Sequence, residues 1–260
     1  METKNEKTET KVSTDAKIKE MHENTIGLDD SFNFKCIMCG KCCRNREDVL
    51  LTGPDVFRAA KELGMTIESF IHTYCEIYIG STSRIPVCRI KPEGNDKHCP
   101  LLSENKCRIH SAKPSVCALF PLARVWDENG EARYHVQSNL SHRSNKTYTV
   151  RKWLERNNLP TDDVPGRIWV ETVTACVKFV LNNEDNLSEK EKTHVWNLMT
   201  FMMYYSYVDG IDLEKQMRAM KDSLTDSLPR YVAMFEAERQ KKDEKPNPID
   251  AASQTGDRHE

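Results

Sequence analysis

CIMCGKCC, residues 36–43, places four cysteines within eight residues of the chain. A CxxC turn lets two sulfurs reach one ion, because the two intervening residues bend the backbone back. Gly40 relieves the crowding of such a turn, and Cys42 repeats the spacing, so that three sulfurs share a common centre. Because adjacent side chains diverge in an extended segment, Cys43 is expected to serve a second ion or a bridging role. The stretch therefore indicates a metal site with two ions or one multinuclear cluster.

Further cysteines follow in a proline-rich stretch, CPLLSENKCRIHSAKPSVCALFP, at residues 99–121. It supplies Cys99, Cys107 and Cys117, which brings the candidate ligands to seven. Thiolate-only coordination suits both zinc and iron–sulfur clusters. The spacing in residues 36–43 disfavours a ferredoxin, whose CxxCxxC run continues after three residues with Cys-Pro.

The last three cysteines receive different interpretations. Cys88, in IPVCRIKP, is either the eighth ligand of two four-coordinate ions or a small buried strand residue. Cys75 ends an apolar helical stripe and is interpreted as a core residue, because free cysteine is among the most buried residue types. Cys176, inside VETVTACVKFV, is the clearest core cysteine and is excluded as a ligand.

Composition restricts the class of protein. The 260-residue chain has a net charge of -2, which gives no general attraction to nucleic acid or to an anionic membrane. The first residues lack the apolar core of a secretory signal, and no run of 18 apolar residues could span a membrane. We therefore expect a cytoplasmic protein with neither nucleic-acid nor membrane partners. Because the cytoplasm keeps thiols reduced, the ten cysteines of the chain favour metal binding over disulfides.

The chain divides into four predicted parts. Residues 1–30 and 239–260 are polar, mixed in charge and expected to be disordered tails. Residues 31–145 form an irregular, metal-stapled, cysteine-rich domain, and residues 146–238 form a helical region packed on it. The fold class is therefore α+β, mainly α with a small β-hairpin.

Local signals locate the elements. Helices are predicted for LTGPDVFRAAKELG after a Thr52 cap and for TIESFIHTYC after a Thr66 cap. A hairpin turning at ENG is predicted within ARVWDENGEARYHVQ. Apolar residues at helical spacing predict four later helices. These helices cover TVRKWLERN, VPGRIWVETVTACVKFVL, SEKEKTHVWNLMTFMMYYSYV and LEKQMRAMKDSL.

In order along the chain, CIMCGKCC, the segment LTGPDVFRAAKELGMTIESFIHTY and the stretch 99–121 resemble the YkgJ-like cysteine-cluster proteins, described as zinc- or iron-chelating CxxCxxCC domains. The resemblance covers about residues 34–125. It implies that Cys36, Cys39, Cys42, Cys43, Cys99, Cys107 and Cys117 are the family's cysteines. Many members carry another cysteine where this chain reads SNLSHRSNK. This leaves Cys88, His110 and His142 as alternatives for the eighth ligand, alongside a site with none.

Two functional hypotheses follow. In the first, a zinc or iron–sulfur centre organises the irregular region and has a redox or protein-partner role. In the second, the chain is an iron–sulfur-dependent enzyme, because some proteins with a related cysteine cluster are lysine methylases. The sequence itself contains no GxGxxG, phosphate-loop, HExxH or GxSxG motif that would favour an enzyme. His98, His110, Lys113 and Arg124 are candidate helpers only because they lie close to the distal cysteines.

Overall fold

The computed structural model describes residues 24–36, 39–44, 46–127, 129–137 and 146–243. Over these ranges the chain is mainly α-helical with small antiparallel sheets, which confirms the predicted α+β class. The helices are α1 (Gly53–Glu62), α2 (Ile67–Tyr74), α3 (Ser115–Leu119), α4 (Val150–Arg156), α5 (Val164–Asn183), α6 (Glu189–Thr200) and α7 (Leu213–Asp243). The strands are β1 (Thr25–Ile26), β2 (Ser31–Asn33), β3 (Leu50–Leu51), β4 (Cys75–Ile79), β5 (Pro86–Ile90), β6 (Leu102–Ser103), β7 (Lys106–Cys107), β8 (Leu122–Trp126), β9 (Ala132–Val136) and β10 (Thr147–Thr149).

The strands form small antiparallel sheets. One has the order β3-β5-β4 and another the order β1-β9-β8, while β10 pairs with β2 and β6 with β7. The predicted hairpin is β8–β9, with a register that runs from Leu122 opposite Val136 to Trp126 opposite Ala132. The other pairings were not predicted from the sequence.

The two early helices begin where their caps predict. The Thr52 side chain accepts from the Asp55 N–H and the Asp55 carboxylate accepts from the Thr52 N–H, which is a complete capping box. Thr66 caps α2 through the N–H of Ser69. The predicted second helix is too long by its last residue, because Cys75 has extended backbone angles and begins β4.

The later helices agree with the predicted segments, with two corrections. The segment SEKEKTHVWNLMTFMMYYSYV was predicted as one helix, but α6 ends at Thr200 and the chain continues as a π-helical turn over Phe201–Tyr205. The fourth was predicted over LEKQMRAMKDSL, yet α7 continues through Pro229 to Asp243. Residues 239–243 are therefore helical and were wrongly assigned to the second tail.

The first predicted tail is also too long. Thr25 and Ile26 pair with His135 and Tyr134 of β9, so residues that precede position 30 belong to a sheet. This pairing joins segments more than a hundred residues apart, which local composition does not reveal. The remainder of both predicted tails, residues 1–23 and 244–260, lies outside the described residues.

Two hydrophobic cores hold these elements together. The larger core joins α1, α2 and the β3-β5-β4 sheet to helices α5, α6 and α7. The smaller core contains Phe32 and Phe34 beside Trp153 and Leu154 of α4, with Tyr134 of β9. Both cores cross residue 145, so the helices after that position are packed directly on the cysteine-rich region.

No helix in the described ranges is long and apolar enough to cross a membrane.

Candidate metal centre

The end of the CIMCGKCC stretch is a tight turn set by Gly40. Gly40 has φ 69°, and the N–H of Cys43 donates to its carbonyl at 2.9 Å, which closes a 3₁₀ turn over Lys41–Cys43. A side chain at Gly40 would be strained in this left-handed conformation and would also meet the Arg44 guanidinium. The predicted need for glycine is therefore borne out by the backbone geometry.

Cys42 and Cys43 face the same space. Their sulfurs are 3.9 Å apart, with the two thiols in hydrogen-bond contact. Two thiolates on one tetrahedral zinc are about 3.8 Å apart, because each Zn–S bond is about 2.3 Å long. The expectation that Cys43 points elsewhere is thus wrong in this structure, since it assumed an extended segment and the residues form a turn.

The distal cysteines meet this turn. The N–H of Cys99 donates to the carbonyl of Cys43 at 2.8 Å, which ties the two cysteine-bearing stretches together. Cys107 ends β7 of the short β6–β7 hairpin, and Cys117 lies in α3. The backbone N–H groups of Leu101 and Ile109 act to lower the pKa values of Cys99 and Cys107, against the effect of burial. Such an effect favours the thiolate form that a metal requires.

The thiols influence one another electrostatically. The hydrogen bond from Cys43 lowers the pKa of Cys42 to about 6 against the effect of burial, with smaller contributions from Lys113 and Arg46. The same hydrogen bond and burial raise the pKa of Cys43, and the charges of Cys117 and Cys99 add to that rise. One thiol of the adjacent pair therefore ionises readily while the other resists, as expected when two like charges would otherwise share a site.

Burial dominates the distal thiols. It raises the pKa of Cys117 to about 12, with the nearby Cys99 acting in the same direction. It also raises the pKa values of Cys99 and Cys107, and both respond to the charge of Cys42. These pairwise electrostatic effects link five thiols, which we call the thiol cluster: Cys42, Cys43, Cys99, Cys107 and Cys117.

Cys36 and Cys39 precede the thiol cluster in the chain. Cys36 is exposed and Cys39 half-buried, and they flank residues 37–38, which are outside the described ranges. Over the described residues, no three His, Cys, Asp or Glu side chains are already arranged to hold an ion. The cysteine sulfurs are donors of the kind that zinc and iron bind, and they are grouped in the fold. To coordinate one ion, the sulfurs must move closer together than they are in this structure.

The alternatives for the eighth ligand are placed differently. Cys88 has no exposed surface and lies in the larger core on β5, where it raises the pKa of the neighbouring Cys75 thiol. The position of Cys88 agrees with the second of its two interpretations, a small buried strand residue. Cys75 and Cys176 are also core residues, 7% and 1% exposed. His110 is exposed, and burial with the charge of Lys113 lowers its pKa. His142 lies outside the described residues.

The positional candidates for helper residues separate in the same way. Lys113 is within electrostatic reach of Cys42 and Cys107. His98 Nδ1 bonds the Asp96 carboxylate at 2.7 Å. Arg124 is almost fully buried and paired with Asp163, with its guanidinium over Tyr134 in the smaller core. Of these candidates, Lys113 is the one whose charge acts on the thiols.

Two polar residues near the cluster were missed by sequence reasoning. Arg44 donates to Asn105 Oδ1 at 2.9 Å and to the Cys39 carbonyl at 3.4 Å, so it joins the first cysteine stretch to the β6–β7 hairpin. Asp55, at the start of α1, accepts from Ser115 of the helix that carries Cys117. The capping-box pattern could have identified Asp55 as a cap, whereas neither tertiary contact has a local signature.

Comparison with known proteins gives one match. The family model CxxCxxCC, described as a "putative zinc- or iron-chelating domain", matches residues 35–150. The match supports the resemblance to this family that the cysteine motifs indicate. The matched range extends past residue 125 to the first residue of α4, so it includes β8, β9 and β10. Neither a curated protein nor a solved structure matches the chain.

Proposed function

We propose that this protein binds zinc or iron through the thiol cluster, with Cys36 and Cys39 completing the ligand set. The observation that carries the proposal is the meeting of the two cysteine stretches, where the backbone bond from Cys99 to Cys43 brings distal thiols to the adjacent Cys42–Cys43 pair. The match of residues 35–150 to the model of a zinc- or iron-chelating domain supports the same conclusion.

The local charges suit an all-thiolate centre. Four thiolates around a divalent ion leave a net charge of about -2, which costs free energy in a half-buried site unless cations offset it. Lys113 and Arg46 supply positive charge next to Cys42, and backbone N–H groups act to lower the pKa values of two other thiols. Both features stabilise bound metal without adding a ligand.

The proposed role of the metal is to organise the irregular segments around it. The thiol cluster lies on a 3₁₀ turn with no buried residue, on the β6–β7 hairpin and the residue Cys99 before it, and on a five-residue helix that buries only Ala118 and Leu119. Thiolate coordination of zinc contributes on the order of 10 kcal/mol to folding. A metal would therefore fix these segments on the larger core, and the surface that they form would be presented for a protein partner or for electron transfer.

Seven cysteines also allow more than one ion. Zinc uses four thiolates in a closed structural site, so seven thiols suit two ions that share ligands or one iron–sulfur cluster. The identity of the metal is decided by chemical analysis. An iron–sulfur cluster gives acid-labile sulfide and broad visible absorption, and zinc gives neither.

The test is to purify the full chain anaerobically and to measure zinc, iron and acid-labile sulfide per chain, with the absorption spectrum. We expect at least one zinc or iron per chain, retained on gel filtration. Cys43→Ala should lose metal. Cys176→Ala is its matched control and should keep the metal, because Cys176 is a buried thiol in α5 outside the cluster. Metal below a tenth of an equivalent, or equal loss in Cys176→Ala and Cys43→Ala, would refute the proposal.

A further inference from the structure

Asp55 is a buried carboxylate with an unusually complete set of partners. Its residue surface is 1% exposed. Oδ1 accepts from the backbone N–H of Ser115 at 2.9 Å, from the Ser115 hydroxyl at 2.9 Å and from Arg58 at 2.6 Å. Oδ2 accepts from the N–H of Thr52 at 3.0 Å. Burying an unpaired carboxylate is costly, so these four donors are what allow the charge to remain inside.

Two of these donors belong to the helix that carries Cys117. Ser115 is the first residue of α3, and α3 has no side-chain cap of its own. The N–H groups of Cys117 and Ala118 both donate to the carbonyl of Pro114. These hydrogen bonds join Ser115 and Cys117 in one rigid turn. The carboxylate of Asp55 therefore caps α3 from another helix, two residues before a thiol of the cluster.

The other side of the contact is fixed in the larger core. Asp55 belongs to the first turn of α1, whose residues Val56, Ala59 and Ala60 are essentially inaccessible. Gly53 approaches the backbone of Met203 so closely that a Cβ would clash with it. The position of Asp55 is therefore dictated by the helical core, not by the cysteine-bearing segments.

We propose that Asp55 is a positioning residue for the metal centre, which holds Cys117 where it can join the other thiols. Ser115 transmits its position, and Arg58 balances its charge. The inference rests on the proposed function, because it assigns Asp55 a role only through a ligand of that centre. It also gives the helical core a direct part in the geometry of the site.

The test uses Co²⁺ added to the reduced, metal-free full chain, because thiolate-to-cobalt charge-transfer absorption reports the number of sulfur ligands. Asp55→Asn keeps the size of the side chain and removes its charge. Compared with wild type, we expect charge-transfer intensity to fall by as much as in Cys117→Ser, and the apparent Kd to rise about 10- to 100-fold. The double variant Asp55→Asn/Cys117→Ser should lose no more than Cys117→Ser alone.

Glu191→Gln is the matched control, since Glu191 is the acidic residue of the second capping box, at the start of α6. It should leave the cobalt spectrum unchanged. Ser115→Ala covers the case in which Asp55→Asn fails to fold, and it should reproduce part of the same spectral loss. If folded Asp55→Asn or Ser115→Ala chains keep the wild-type spectrum and affinity, the positioning role is refuted. If wild type itself gives no charge-transfer band, the proposed function falls, and this inference with it.

Discussion

The thiol cluster and the larger hydrophobic core use the same residue type in opposite ways. Cys75, Cys88 and Cys176 lie in the core on β4, β5 and α5, and each is less than a tenth exposed. The cysteines of the cluster lie on turns and short elements and are half-buried or exposed. The core cysteines are held by the packing around them, whereas packing alone does not fix the position of the cluster cysteines.

This difference shows that the number of cysteines is a poor guide to their role, and that their surroundings separate the two groups. A buried cysteine behaves as a small apolar residue. A cysteine on an irregular segment gains its position from coordination. Removing metal, changing the core and changing the edge of the cluster should therefore affect the two groups of cysteines differently.

Removal of metal should destabilise the cysteine-bearing segments and leave the larger core almost unchanged. After chelation under reducing conditions, amide hydrogens of residues 39–44 and 99–119 should exchange about tenfold faster or more, because coordination supplies most of their stability. Amides of α5 and α6 should change less than about twofold, because their apolar contacts remain. Hydrogen exchange followed by mass spectrometry makes the measurement. Uniform acceleration across both regions would show that the core also depends on metal.

A change in the core should reverse this pattern. The Tyr204 hydroxyl accepts from the N–H of Cys88 at 3.2 Å and donates to the Pro86 carbonyl at 3.4 Å. Tyr204→Phe leaves both buried backbone groups without that partner and should lower the free energy of unfolding by about 1–3 kcal/mol. Urea denaturation measures the loss, and the metal content of the folded protein should stay at the wild-type value. Tyr205→Phe is the control, because Tyr205 is the less buried neighbour.

The smallest effect is expected at the edge of the cluster. Asn105→Ala removes the exposed hydrogen bond between Arg44 and the β6–β7 hairpin. The change in unfolding free energy should be below about 1 kcal/mol, as for other exposed polar contacts, while zinc transfer to a chromogenic chelator should become faster. An unchanged transfer rate would mean that Arg44 does not help to hold the two cysteine stretches together.

Local signals in the sequence predicted most of the helical fold. Thr52, Thr66 and Ser188 each cap a helix at the predicted position, because a cap acts through hydrogen bonds to residues two or three positions away. The hairpin that turns at ENG was also predicted correctly, because its signal is local in the sequence. Helix α7 was predicted to end too early because its later turns are polar on several sides, and tertiary packing of residues such as Phe235 extends it.

Long-range features were not predictable in this way. The pairing of β1 with β9 joins residues 25–26 to residues 134–135, and no turn signal links them. The sequence suggested divergent directions for Cys42 and Cys43, although their 3₁₀ turn brings both sulfurs together. It also left Cys88 open as a ligand, since burial on a central strand depends on neighbours from distant segments. The cysteine spacing nevertheless predicted Cys42, Cys43, Cys99, Cys107 and Cys117 as ligands, and this assignment stays a prediction.

The central claim is tested most directly by making one substitution in both regions. Cys43→Ala and Cys88→Ala are purified in parallel under anaerobic conditions, and zinc plus iron per folded chain is measured by mass spectrometry. We expect that Cys43→Ala loses half or more of the bound metal, while Cys88→Ala keeps the wild-type amount and is destabilised by about 1 kcal/mol. Full metal content in Cys43→Ala, or an equal loss of metal in both variants, would contradict it.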